Sequence, residues 1–252
     1  MRIPTIQGVI DRRILVNYAI DPGVLARELP PPFQPKLHNG LGVGGICLIR
    51  LKELRPRLVP RFLGLTSENA AHRISAQWPD AGGAMCEGVY ISRRDSSSRL
   101  NTLLGGRLFP GLHHHARFQV RETDREFSIV VDSDDGDAHI EVEAKLASRL
   151  PPSSLFGSIA DASRFFEEGS VGYSDTHRRG QYDGLELRTS SWKVEPLEVT
   201  RVASSYFDDR SRFPEGSIRF DCALLMRGVS HQWRGMEPLC EPICRSIAAA
   251  AS

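Results

Sequence analysis

The sequence predicts an α+β protein, mostly antiparallel strands, and three observations predict it. Apolar and polar residues alternate with a period of two from Glu68 to Trp78 and again from Leu112 to Val120. Turn-forming clusters punctuate the strand-like segments at Gly82-Gly83, at Arg93 to Ser98 and at Asp134 to Asp137. Only the segment from Ser158 to Gly169 changes clearly to a helical period. At 252 residues the chain suits one large β-rich domain. No linker or repeat divides it, so the expected unit is 1–246, followed by a disordered Ala-rich tail at 247–252.

Each element has a local reason. Asp21-Pro22 combines an N-cap with a proline in the first turn, which predicts a short helix carrying Leu25 and Leu29 on one face and ending before Pro30-Pro31-Pro32. Gly40-Leu41-Gly42-Val43-Gly44-Gly45 spells GxGxxG, but that motif cradles a pyrophosphate only between a strand and a helix. Ile46-Cys47-Leu48-Ile49 reads instead as a buried strand, so the glycines are assigned to a bend. From Glu68 to Trp78, strand parity puts Glu68 and His72 on the side of Ala70, Ile74, Ala76 and Trp78, facing a pocket. Met85 to Ile91 is the next strand, separated from Leu100 by the polar run 93–98. His114 falls on the apolar face with Leu112, Ala116, Phe118 and Val120, which leaves His113 and His115 solvated. Phe127 to Val131 and Ala138 to Leu146 flank an Asp-Gly turn rather than a calcium loop. Ser158 caps a helix with Ile159, Ala162 and Phe166 on one face and Gly169 as its stop. Leu185 to Val202 and Ser217 to Val229 complete the strands.

Composition narrows the function classes. The 32 basic and 31 acidic residues nearly cancel, so no overall field steers a polyanion, and a small-molecule ligand is expected rather than nucleic acid. The five cysteines are odd in number and without CxxC spacing, which reads as reduced thiols. No secretory leader or long apolar span is visible, which gives the expectation of a cytoplasmic protein with no membrane partner. GxSxG, HExxH and P-loop signatures are absent. Arg73 and Arg107 have the planar donor fork that holds a carboxylate. No metal or cofactor is expected, because adjacent histidines on a strand point to opposite faces. Metal binding would need His114 joined by Glu68, His72 or His231.

Four stretches carry a resemblance: Glu68 to Ile74, Gly88 to Asp95, Gly105-Gly106-Arg107-Leu108-Phe109-Pro110-Gly111, and Ser204 to Asp209. Together they resemble the bacterial domain-of-unknown-function family 2071, itself similar to acetoacetate decarboxylase. The resemblance implies a strongly curved antiparallel barrel or cone enclosing a small-molecule cavity, and possible homo-oligomers. The decarboxylases use a lysine that forms a Schiff base. In register on Gly106-Arg107 its place is taken by His114, and in register on Pro110 by Gly111. Imidazole forms no stable Schiff base, and Lys145 and Lys193 lie outside the motif. The expectation is therefore a pocket for a small anionic or carbonyl-bearing metabolite with lysine-independent lyase, isomerase or hydratase chemistry. His114 is its acid/base, Glu68 its partner, and Arg107, His72 and Arg73 its substrate-binding residues. Two alternatives remain: a non-catalytic binding or sensor protein, and a His/Glu metal-dependent enzyme.

Overall fold

The run Ile14-Leu15-Val16 shows how this chain builds its architecture, because alternate residues of one strand enter different cores. In the computed structural model, which describes residues 5–80, 82–104 and 111–241, Ile14 and Val16 join Leu48, Ile74, Ile129, Ile140 and Leu225. Leu15 turns the other way, to Cys47, Phe165, Phe166 and Leu224. A strand covered on both faces reads as a continuous apolar run rather than an alternation. Residue Arg107 with its surrounding segment 105–110, Cys244 and the tail 247–252 lie outside the described residues.

Among the described residues thirteen strands form one sheet. In chain order they are β1 (Ile6–Ile20), β2 (Gln34–Pro35), β3 (Leu37–His38), β4 (Leu41–Pro56), β5 (Leu65–Pro79), β6 (Met85–Ser96), β7 (His114–Glu122), β8 (Glu126–Ser133), β9 (His139–Leu146), β10 (Val171–Asp175), β11 (Gln181–Thr189), β12 (Glu195–Ser204) and β13 (Ile218–Cys240). The helices are α1 (Pro22–Arg27), α2 (Arg99–Leu104) and α3 (Ile159–Glu168). The sheet closes on itself twice. One ring runs β13, β1, β4, β5, β6, β10, β11 and closes through the β11–β13 pairing. The other runs β6, β7, β8, β9, β12, β13, β1, β4, β5 and closes through β5–β6. The strands β13, β1, β4, β5 and β6 form a wall common to both. Pairings are antiparallel except β6 with β7 and β6 with β10. The expected α+β class with curved, mostly antiparallel strands is what the chain adopts.

Local signals behave as their chemistry dictates. Asp21 accepts from the Gly23 and Val24 amides at the start of α1, and Ser158 accepts from the Asp161 amide at the start of α3. The Asp-Gly turn joins β8 to β9, with Gly136 at φ 77°. The GxGxxG segment runs into β4 with no helix after it, so the pyrophosphate context is absent. A side chain at Gly45 would sit 2.2 Å from the Val16 carbonyl oxygen, which is why glycine is needed where β4 crosses β1.

Three sequence boundaries shift. The polar run from Arg93 does not end the strand: β6 continues to Ser96 because residues 93–96 pair with β5 and, at Asp95 and Ser96, with β7. The segment from Leu185 to Val202 divides into β11 and β12, and β13 extends through Pro238 to Cys240, where its far half pairs with β11.

Candidate functional site

Inside the seven-strand ring lies a cavity of about 130 Å³, and each strand of the ring contributes to its wall. Ile49, Leu51, Val89, Ile91, Leu185, Leu187 and Trp233 give it an apolar body. Its polar atoms come from Arg13 on β1, Cys47 on β4, Asn69 and Arg73 on β5, Arg94 and Asp95 on β6, and His113 just ahead of β7. Cavities of roughly 150 Å³ hold a benzene-sized molecule, so the space suits a ligand of a few heavy atoms.

The three arginines are held by neutral groups. Arg73 lies opposite Gly45 in the β4–β5 register, and the missing side chain there lets its guanidinium cross β4 to donate to the Asn17 amide oxygen. The same guanidinium lies 4.9 Å from the centre of the Phe166 ring on α3. Arg94 donates to the Ser174 hydroxyl at 2.9 Å. Arg13 contacts the Cys47 sulfur at 3.4 Å and stacks 5.5 Å over Trp192. Among the described residues none of the three is ion-paired, and Arg13 Nη1 and Arg73 Nε are buried without a hydrogen-bond partner. The one carboxylate in the wall, Asp95, is engaged by Arg93 at 2.9 Å. Burial pulls the Arg73 and Arg94 pKa values down to about 10, still charged at neutral pH. His113 donates from Nδ1 to the Gly111 carbonyl at 3.1 Å. Burial, helped by the charge of Arg94, lowers its pKa to about 4.

The expected site residues separate. Arg73 reaches the cavity, from the face of β5 opposite to the one parity had assigned to the pocket. His72 is 1% exposed on that assigned face, with Nε2 3.2 Å from the Ser204 hydroxyl and its ring against Tyr206 and Phe207. Glu68, also off the cavity, is held by Arg12 and Arg50 at 2.5 Å each, in a network that includes Glu122. His114 does not line this cavity. Its side chain is 39% exposed and its Nδ1 lies 2.9 Å from Asp135. Arg107 lies outside the described residues. Parity misassigned the histidines because β7 starts only at His114: His113 belongs to the turn from Gly111, at φ 80°, where strand alternation does not apply.

The sequence reading missed Arg13, Arg94, Cys47 and His113. The available signal was a charged residue against a two-faced apolar strand, as at Arg13 before Ile14-Leu15-Val16. None of the four lysines lines the cavity: Lys36 pairs with Glu87, Lys52 with Asp11 and Lys145 with Glu198, while Lys193 is exposed. Among the described residues no group of three His, Cys, Asp or Glu side chains is placed to hold a metal ion. No described helix is long and apolar enough to cross a membrane.

The model of domain-of-unknown-function family 2071, described as an uncharacterized conserved protein, matches residues 10–221. The chain belongs to this family. No curated protein matches its sequence. Among solved structures, the family 2071 chain is similar to an acetoacetate decarboxylase-like enzyme from Sphingomonas wittichii RW1, at 9% identity and TM-score 0.58 over 95% of this chain and 93% of that one. It is also similar to acetoacetate decarboxylase from Legionella pneumophila, at 10% identity and TM-score 0.56 over 92% and 87% of the two chains. A third similar structure is the enduracididine biosynthesis enzyme MppR complexed with pyruvate, at 9% identity and TM-score 0.56 over 95% and 91%. At these identities the likeness establishes a shared fold.

Proposed function

We propose that this family 2071 protein binds a small carboxylate-bearing metabolite in the cavity of the seven-strand ring and acts on it without a Schiff base. The observation that carries this reading is the set of three arginines in one cavity wall, none of them ion-paired among the described residues. Desolvating an unpaired charge costs several kcal/mol, so a site that keeps such charges gains by admitting an anion. Guanidinium is also the donor whose fork matches a carboxylate. The pyruvate held by a protein of the same fold is in keeping with a ligand of this size.

Arg73 keeps its expected role as a carboxylate-binding residue. The acid/base role first given to His114 passes to His113, which lines the cavity beside Arg94 as an uncharged imidazole at pH 7. With no lysine in the wall, chemistry that begins with proton transfer next to a carbonyl, as in a lyase, isomerase or hydratase, is the reaction class this cavity favours.

Isothermal titration with acetate, pyruvate and longer carboxylates tests the reading. At least one is expected to bind saturably, with affinity reduced about tenfold or more in Arg73→Gln. Binding untouched by Arg73→Gln in a folded variant would refute the assignment of the site. Each ligand that binds is then followed by proton NMR for conversion, and saturable binding without turnover would make the protein a sensor instead.

A further inference from the structure

The charge balance of the same cavity specifies its ligand further. Arg13, Arg73 and Arg94 place three positive charges in the wall. Arg73 is 3% exposed with an unpartnered Nε, and Arg13 has an unpartnered Nη1. Asp95 does not offset them, because Arg93 donates to it through Nε and Nη2. One carboxylate would therefore leave an excess of two positive charges in a space walled largely by apolar side chains. Like charges held close in a low-dielectric setting repel, and a second anionic group relieves that repulsion.

The register separates the cations along the sheet. Arg94 lies across β5 from Cys47, through Ala71; Arg73 lies two residues along the sheet in one direction, beside Gly45, and Arg13 two residues in the other, on β1 opposite Ile49. Ile91, Leu185, Leu187 and Trp233 supply an apolar surface that an inorganic oxyanion would leave unused. Resting on the reading that this cavity is a carboxylate site, we infer that its ligand is a short dicarboxylate, two carboxylate groups joined by a chain of at most two carbons. Arg73 takes one carboxylate and Arg94 the other, with Arg13 the third positive charge of the same wall.

The test compares ligands of equal carbon number by isothermal titration near pH 8, where carboxylates are ionised. Malonate is set against propionate and succinate against butyrate, with sulfate and phosphate as carbon-free dianions. The expected result is that a dicarboxylate binds about tenfold or more tightly than its monocarboxylate partner and more tightly than either inorganic anion. Arg94→Gln is expected to shrink that ratio at least about threefold while monocarboxylate affinity falls less. Mono- and dicarboxylates binding equally well would overturn this inference and leave the carboxylate site standing. Sulfate or phosphate as the tightest ligand would overturn it too, as would an unchanged ratio in folded Arg94→Gln. Absence of binding by every carboxylate would remove the site itself.

Discussion

Arg73 donates to an amide oxygen and lies over a benzene ring, and neither partner neutralises its charge. His113, beside Arg94, lines the same cavity as a neutral imidazole, whereas His114 is tied to Asp135 at the surface. His113→Gln is accordingly expected to change the affinity or turnover of a bound carboxylate about fivefold or more, while His114→Gln stays within about twofold. The same titration series decides between them, and the reverse order would restore the role that family register gave to His114. His72 makes a separate statement about stability. Burial first, and Arg93 second, lower its pKa from 6.5 to about 3. Between those values the unfolded chain takes a proton that the folded chain refuses, so the contribution is complete above pH 6.5 and is lost as pH falls toward 3. At about pH 5 this one residue is expected to cost about 2 kcal/mol of stability. Urea midpoints at pH 7 and pH 5 measure the loss. A His72→Phe variant with the same pH slope as the parent would contradict it.

The strands common to both rings explain what was legible in the sequence. Ala70, Ile74, Ala76 and Trp78 were readable as one face because alternation needs only one buried side. The other face of β5, with Asn69, Ala71 and Arg73, carries no local sign that a second layer of strands covers it, so parity turned the pocket to the opposite face although Arg73 was named as a carboxylate-binding residue. Arg94 was hidden for a related reason: Arg93 to Ser96 has the composition of a turn, and only the long-range pairing with β5 and β7 keeps it in a strand. Caps and turns, which depend on a few adjacent residues, were legible at Asp21, Ser158 and Gly136. Two substitutions test elements directly. Ser158→Ala removes the bond to the Asp161 amide and is expected to cost about 1 kcal/mol. Gly45→Ala sets a methyl group against the Val16 carbonyl and is expected to cost about 1–3 kcal/mol, with loss of carboxylate binding because Arg73 crosses the sheet there. Thermal unfolding that ranked Gly45→Ala as the milder change would contradict the close approach of β4 and β1.

Two closed rings sharing five strands cannot lose one core without exposing a face of the other. Trp78 reports on the larger core and Trp233 on the cavity wall, so their fluorescence and far-ultraviolet circular dichroism are expected to change in a single transition. Separate midpoints would show that the rings fold independently. The shared wall also holds Arg13, Arg73 and Arg94 on strands whose opposite faces are packed into the larger core. Pre-organised charges of this kind need no reorganisation when an anion enters. The most direct measurement is a difference electron-density map between crystals grown with and without malonate. This account predicts a molecule inside the seven-strand ring, in contact with the guanidinium groups of Arg73 and Arg94. Density bound instead at His114 and Asp135, or a ring left unoccupied beside a ligand held elsewhere, would contradict it.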